Sequence, residues 1–540
     1  MNKLFAQLVE KRHLDDTFLH PKYDNLTDPF ILPDMDKAIN RIREAKDKNE
    51  RILIYGDYDV DGITASTLME QTLILAGVKP DNIEIMLPDR FADGYGMSPR
   101  LIEFTKAHQI TLVITVDCGS RNHAIVEELN TLKIDTIVTD HHECADTLPE
   151  ARAIINPHRK DQPIKSLQNL AGVGVAFKLA EALTKKNYIK EGQEKWLLDL
   201  VLLGTICDNM LLTGENRILG YFGVKVLEKT RRPGLKELMR TAGVKRITSE
   251  SIGFQIGPRL NAAGRLETAE LSLKLLRTSS ASEAAAIAVK LEELNKKRRI
   301  EQRAATDEII QKKRTADPVI IETGHWHEGI LGIVAGRLVE KYHQPAFVLT
   351  ETEQGILKGS GRSFGDFGLS DALNYAKSTI ISGGGHAGAA GVRLEQKHLF
   401  EFREKINEYY KSLHLVNQEN YFDTHADLET SNLGDISLEL IEELKLLEPF
   451  GAGNEEPIVR LKNPEIVEMK RMGDQGQHLR LDLKGNDGKV LKCVAFSAPD
   501  HWFNLDSSDT HDLLIKPIEN EWNGTRSVEA RLIDVINMGG

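Results

Sequence analysis

Apolar and polar positions follow two different periods along this chain. Residues 51–55 (RILIY) make a short apolar run stopped by Gly56, the pattern of a buried strand. The apolar-rich stretch from Ile63 to Ala76 predicts a helix, and Ile83–Leu87 a second strand. The β-branched runs 111–116 (TLVITV) and 135–139 (DTIVT), each bounded by polar turns, predict two more strands with helical segments between. Strands alternating with helices imply βαβ units and a parallel sheet. From Ala281 to Arg314 nearly every residue is a strong helix former without Pro or Gly, and Ala285, Ala288, Leu291 and Leu294 mark one apolar face. This predicts one long helix joining two domains and ending before Pro318. A second α/β unit follows over about 318–412, opening on the strand PVIIE and containing the Gly-rich stretch 382–391. The tail, about 420–540, carries short alternating stretches (IVRL, LRLDL, LKCVAF) split by Gly, Asn and Asp, which predicts a small antiparallel barrel or sandwich.

With 540 residues the chain is too long for one core, and 41% hydrophobic with 28% charged residues is globular usage. The net charge of −12 makes nucleic-acid binding depend on local basic patches or bound cations. Lys296, Lys297, Arg298, Arg299 and Arg303 on the long helix offer one such stripe; the competing expectation is a solvated face paired with Glu292, Glu293 and Glu301. The four cysteines, Cys118, Cys144, Cys207 and Cys493, form no CxxC pair, which argues against a zinc ribbon or disulfide framework and suits a reducing cytosol. The first residues lack an apolar signal region and no apolar run of membrane length occurs, so a cytoplasmic protein without membrane contact is expected.

The chemistry concentrates at apolar-run ends. GDYDVDG (56–62) places Asp57, Asp59 and Asp61 after a buried strand, where carboxylates at i, i+2 and i+4 converge if the chain stays extended. Such a cluster repels itself unless a cation neutralises it. An EF-hand is excluded, because the twelfth loop position is Leu68 rather than Glu. The arrangement recurs with Asp117, with Asp140, His141 and His142, and with Asp208 after LVLLGTIC. A lone Asp after a strand is more often a helix cap. Four acidic strand ends, one with paired histidines, instead predict one rim of a parallel sheet holding two divalent ions. Mixed Asp and His donors suit Mn²⁺ or Mg²⁺; Cys118 and Cys207 read as packing residues.

GDYDVDG, VDCGS, TDHHE and GTICD resemble, in order, the four motifs of the DHH phosphoesterase superfamily. LAGVGVAFKLAEAL (170–183), IGPRLNAAGRL (256–266), KGSGRS (358–363), GGGHAGAAG (383–391) and EPFGAGNEEP (448–457) are similar to its RecJ family of single-strand-specific exonucleases. The resemblance implies an N-terminal segment 1–50, a DHH catalytic domain 51–280, a connecting helix 281–315, an α/β DHHA1 domain 316–415 and a nucleic-acid-binding OB-fold β-barrel 416–540. It implies 5′→3′ hydrolysis of single-stranded DNA in recombination and repair, with Mn²⁺ or Mg²⁺. Asp57, Asp59, Asp61, Asp117, His141 and Asp208 would ligate two ions. His142 would contact the scissile phosphate, with Asp140 orienting a histidine. Ser360, Arg362 and His386 would face the nucleic acid. Arg259, Asn261 and Arg265 read either as phosphate-binding or as parts of a structural turn. Trp326, in GHWHEG, reads as a base-stacking or a packing residue. Helicase and single-strand-binding-protein partners are implied by the resemblance alone. Two alternatives stand beside this expectation: a DHH/DHHA1 phosphodiesterase of short oligoribonucleotides or cyclic dinucleotides, and a non-catalytic nucleic-acid-binding protein on the same fold.

Overall fold

A computed structural model describes residues 1–94, 96–312, 316–352, 355–415, 425–505 and 511–537. The chain forms two compact units. One comprises Pro29–Asp208 and Val226–Phe422; the other comprises Met1–Asp28, Asn209–Lys225 and Asp423–Gly540.

The first unit contains two sheets. Strands β1 (Ile52–Tyr55), β2 (Ile83–Met86), β3 (Leu112–Val116), β4 (Asp135–Thr139) and β5 (Ala153–Ile155) run parallel in the order β2-β1-β3-β4-β5. Strands β1 and β3 are buried along their whole length, which is why they read as unbroken apolar runs rather than alternating ones. Helix Val60–Leu75 follows β1, and helices Gly172–Lys185 and Leu198–Cys207 pack against it.

The long helix spans Ala281–Gln311, opened by the Ser280 side chain accepting the Glu283 N–H; its expected end at Arg314 lies outside the described residues. The second sheet combines β6 (Ile320–Gly324), β7 (Ala346–Glu351), β8 (Ile356–Arg362), β9 (Ser382–Gly385) and β10 (Ala389–Glu395) in the order β6-β7-β8-β10-β9, parallel only between β6 and β7.

The second unit is built on a seven-stranded sheet: β11 (Leu428–Thr430), β12 (Val459–Leu461), β13 (Glu465–Met472), β14 (His478–Lys484), β15 (Val490–Ala495), β16 (His511–Trp522) and β17 (Thr525–Asn537). β13, β14 and β15 form an antiparallel meander, and β17 pairs parallel with β15 and antiparallel with β16. The N-terminal helix Lys3–Lys11 shares this unit's core through Leu4, Phe5 and Leu8. Arg217 ties the 209–225 stretch in, donating to the carbonyls of Phe18, Leu446 and Glu448. The N-terminal stretch therefore completes this unit's core and the 209–225 stretch is bonded to it, which the linear domain order did not anticipate. No helix among the described residues is long and apolar enough to cross a membrane.

Candidate metal centre and phosphate pocket

The acidic groups meet at the carboxyl ends of β1, β3 and β4. Asp57 follows β1, but the chain does not stay extended as expected: Asp59 caps helix Val60–Leu75, its carboxylate accepting the Gly62 N–H at 3.1 Å, and Asp61 lies in the first helical turn. Capping wins because it satisfies orphan amide groups at the helix start. Asp61 turns towards a second helix, accepting the N–H groups of Gly172 (2.6 Å) and Val173 (2.9 Å). Asp117 follows β3 in the left-handed region at φ 61°, a local cost that the surrounding packing maintains.

Asp208 corrects one expectation. It ends a helix, Leu198–Cys207, and not a strand. That run is buried almost throughout, so its apolar residues show no helical period to distinguish it from a buried strand. The helix nevertheless delivers Asp208 to the same rim.

Three overlapping sets of donor atoms lie within 4.8 Å of one another: Asp57, Asp59 and Asp117; Asp61, His141 and Asp208; and Asp117, His141 and His142. His141 Nε2 stands 3.1 Å from Asp117 Oδ1, 3.5 Å from Asp208 Oδ2 and 3.8 Å from Asp61 Oδ2. Asp140 takes no part in these sets. Its Oδ1 accepts the backbone N–H groups of His141 and His142 and faces His142 Nδ1 at 2.8 Å, while Oδ2 accepts the Ser120 N–H.

Electrostatics follow from burial and crowding. Burial and then the Asp59 charge raise Asp57 to about 8 and Asp61 to about 7. Burial with Asp61 raises Asp208 to about 8, and burial with the surrounding aspartates holds Asp117 well above the carboxylate range. Asp140, although buried, is held below its ordinary value by its bonds to His142 and Ser120. His142 opposes its own burial through Asp140 and rises to about 9; burial and the His142 charge lower His141 to about 4.

The donor set fits a pair of divalent cations. Among the described residues, the buried Oδ1 atoms of Asp57 and Asp117 accept no hydrogen bond, leaving acceptors aimed into the cluster. The donors are carboxylates and imidazoles, which suit Mg²⁺ and Mn²⁺. The thiols do not join them. Cys118 lies against the Tyr55 carbonyl and Cys207 against Gly257. Glycines permit the crowding: a Cβ on Gly172 would meet Asp117 Oδ1 at 2.5 Å, and one on Gly204 would meet Asp61 Oδ1 at 2.6 Å.

A guanidinium cluster stands beside the carboxylates. Arg265 is half-buried, donates to the Gly329 carbonyl and is lowered to about 9 by desolvation and then by Arg90, Arg298 and Arg362. Arg362, at the end of β8, packs against the helix Leu331–Tyr342 so closely that a Cβ on Gly332 would stand 2.7 Å from its Nη2. His386 follows β9, and its ring is lowered by burial, Arg362 and then His142, which places it near both. Ser360 lies on β8 at the register of Gly391 on β10, half-buried.

Arg259, much of the long helix's basic stripe and Trp326 are engaged elsewhere. Arg259 donates to Glu292 at 2.6 Å and to the Gln255 carbonyl, fixing its helix to the long one. Asn261 is half-buried on that same helix, Gly257–Leu266. On the long helix Lys296, Lys297 and Arg303 pair with Glu292, Glu301 and Asp307, so the solvated-face expectation describes them; Arg298 is half-buried and donates to Asn295 and Gln302 of its own helix. Trp326 packs, its indole N–H donating to Glu308 beneath the Lys312 ammonium.

Arg90 escaped the sequence reading. Its guanidinium lies 4.8 Å above the Tyr58 ring, and its charge acts on Asp57, Arg265 and Arg362. Next to it Phe91 meets His327 edge-on, ring centroids 5.4 Å apart, bridging the two sheets' loops. The signal was available: the PDRF loop follows β2 on the ligand-binding side of the sheet.

Fold and site together define a DHH/DHHA1 phosphoesterase. The DHH family N-terminal domain matches residues 51–205, the DHHA1 domain 316–412 and the RecJ OB domain 427–534. The chain is 34% identical over 545 residues to the single-stranded-DNA-specific exonuclease RecJ of Bacillus subtilis, covering 98% of this chain and 67% of that protein. It is 32% identical over 529 residues to that of Escherichia coli, covering 92% and 89% respectively. The crystal structure of Thermus thermophilus RecJ in complex with Mn²⁺ superposes with a TM-score of 0.83 at 29% identity, covering 100% of this chain and 76% of that one; the Mg²⁺ complex gives 0.77 at 26%, covering 100% and 75%. The chain belongs to the RecJ family.

Proposed function

We propose that this chain is a metal-dependent exonuclease that degrades single-stranded DNA from the 5′ end by phosphodiester hydrolysis. The observation that carries it is the juxtaposition of a six-residue carboxylate–imidazole cluster, Asp57, Asp59, Asp61, Asp117, His141 and Asp208, with the guanidinium groups of Arg265 and Arg362. The similarity to exonucleases solved with Mn²⁺ and Mg²⁺ supports the same chemistry.

When bound, a pair of divalent cations supplies Lewis acidity and neutralises phosphate charge. The chain's own groups do the rest. Asp140 fixes His142 so that its ring keeps a proton at neutral pH and donates it towards a phosphate oxygen or the departing oxygen. Arg362 and Ser360 offer a planar fork and a hydroxyl to the 5′-terminal phosphate, with Arg265 behind them. His386 faces the same space from the second sheet. The barrel unit contributes a second contact with the strand, and the cleft between the DHH and DHHA1 portions accepts one strand but not a duplex. The proposal extends to a cytoplasmic role in recombination and repair alongside a helicase and a single-strand-binding protein, a reading supported by the family resemblance alone.

The experiment compares 5′- and 3′-labelled single strands with blunt duplex, a dinucleotide and a cyclic dinucleotide, each with Mn²⁺, Mg²⁺ or EDTA. Mononucleotides released first from the 5′ end of the single strand, only with metal, are expected. Equal rates on duplex overturn the cleft's role. A preference for the dinucleotides overturns the substrate assignment, and absence of turnover with either metal overturns catalysis.

A further inference from the structure

Strand β5 carries none of the metal-ligating groups, yet its end is bonded to the loops that do. The Ile155 carbonyl accepts the Asp140 N–H at 3.1 Å. The next residue, Asn156, is wholly buried, and its amide serves three partners. Nδ2 donates to Ser120 Oγ at 2.8 Å and to the His142 carbonyl at 2.9 Å, while Oδ1 accepts the His158 N–H at 2.7 Å. Ser120, also wholly buried, stands just after Asp117 in the same loop and donates its N–H to Asp140 Oδ2. Asn156, Ser120, Asp140 and His142 therefore close a ring of hydrogen bonds, which ties the loops after β3 and β4 to the end of β5.

The ring requires a short side chain with two N–H donors and one acceptor in a plane, and asparagine supplies them. Aspartate has the same shape but would set an oxygen against the His142 carbonyl. Pro157 keeps the residue before it extended, so Asn156 continues the line of β5 towards the loops. The same turn grips the histidine loop from a second point. His158 Nδ1 lies 3.2 Å from Glu143 Oε1, and its Nε2 lies 3.1 Å from the Gln168 carbonyl. Strand β5 is a short edge strand paired with β4 alone, and the Asn156 amide adds nothing to that ladder. Its bonds are directed instead at the main chain that carries His142.

We propose that Asn156 is a positioning residue for hydrolysis, acting through His142. Asp140 holds the ring and the backbone N–H of His142, and Asn156 holds its carbonyl, so the imidazole rides on a main chain fixed on both sides. Both amide donors of Asn156 are committed inside the protein, so it reaches neither cation nor strand. A group that only aims His142 acts when the phosphodiester bond breaks and not when the strand binds, so its loss falls on kcat. The inference rests on the proposed role of His142 in hydrolysis.

The test is a double-mutant cycle. Asn156→Ala, Asn156→Asp and Ser120→Ala are each made alone and together with His142→Ala. For each, kcat and KM are measured on a 5′-phosphorylated single strand with saturating Mn²⁺, with Mn²⁺ calorimetry and a thermal melt alongside. Asn156→Ala is expected to lower kcat roughly 10- to 100-fold, the usual cost of losing a group that orients a site from outside it, with KM and Mn²⁺ affinity unchanged. Asn156→Asp should lose as much, although it keeps the volume and the acceptor for His158. In the His142→Ala background neither change should cost anything further, because the residue they aim is gone. Ser120→Ala opens the ring from its other side and should behave alike, which keeps the test decisive if the Asn156 variants melt below the assay temperature. Losses that multiply in the double variants, a kcat of Asn156→Asp equal to wild type, or a change in KM or Mn²⁺ affinity as large as the fall in kcat overturns the role of Asn156 alone. An inactive wild type, or a His142→Ala variant as fast as wild type, overturns the hydrolytic reading and this inference with it.

Discussion

Asp140 Oδ1 stands 2.8 Å from His142 Nδ1 and also accepts the backbone N–H of His142, so one carboxylate fixes both the ring and the chain that carries it. His142 is thereby raised to about 9 while its neighbour His141 falls to about 4. Two adjacent histidines are thus shifted in opposite directions from the ordinary imidazole value, as the proposed proton-donor and ligand roles require.

Replacing Asp140 with Asn removes the charge that raises His142. The His142 value should drop towards 6.5, and the alkaline limb of the kcat/KM profile should move to lower pH with it. His142→Ala should cost roughly 10²- to 10⁴-fold in kcat. A pH–rate series on both variants, with Mn²⁺ saturating, checks this.

The metal-free protein should lose thermal stability as pH rises from 6.5 to 8. The folded values of Asp57, Asp61 and Asp208, about 8, 7 and 8, lie above the ordinary 3.8, and that of His142 lies above 6.5. In that window the native state therefore binds more protons than the unfolded chain, and stability falls with pH. His141, lowered, acts with the opposite sign only below 6.5. Mn²⁺ should release protons on binding, and the melting-temperature gain it produces should grow across the same window. Melts at several pH values, and titration calorimetry in buffers of different ionisation enthalpy, measure both.

Arg362→Ala should reduce the preference for 5′-phosphorylated over 5′-hydroxyl strands by roughly 10- to 100-fold, the value of a hydrogen bond to a charged group. Arg362→Lys should recover only part of it, because an ammonium lacks the planar fork. The ratio of kcat/KM for the two end chemistries reports the effect.

Gly172→Ala should weaken Mn²⁺ binding and destabilise the protein by about 1–3 kcal/mol, since the new methyl would overlap the Asp117 carboxylate. Gly336→Ala is the control. It lies inside helix Leu331–Tyr342 with nothing within 4 Å, so it should stabilise slightly. Chemical denaturation and Mn²⁺ calorimetry on both variants compare them.

The strand assignments of β1, β3 and β4 were legible because parallel strands buried on both faces spell unbroken β-branched runs. Asp57, Asp117 and Asp140 stand directly after them, and the DHH, DHHA1 and RecJ motifs named the remaining candidates. Four decisions belonged to the tertiary structure. A helix, not a strand, delivers Asp208, because a uniformly apolar run carries no period. Asp61 turns to Gly172 and Val173, residues more than a hundred positions away. Arg259 is consumed by Glu292, whereas Arg90 from an unremarked loop joins Arg265 and Arg362. The N-terminal helix completes the barrel unit's core, and Arg217 bonds the 209–225 stretch to that unit. The sequence by itself determined which groups carry charge and which runs must be buried, because those follow from local composition and period. Which charges meet, and which are neutralised by a neighbour, depended on packing between segments far apart in the chain, and local pattern holds no record of that.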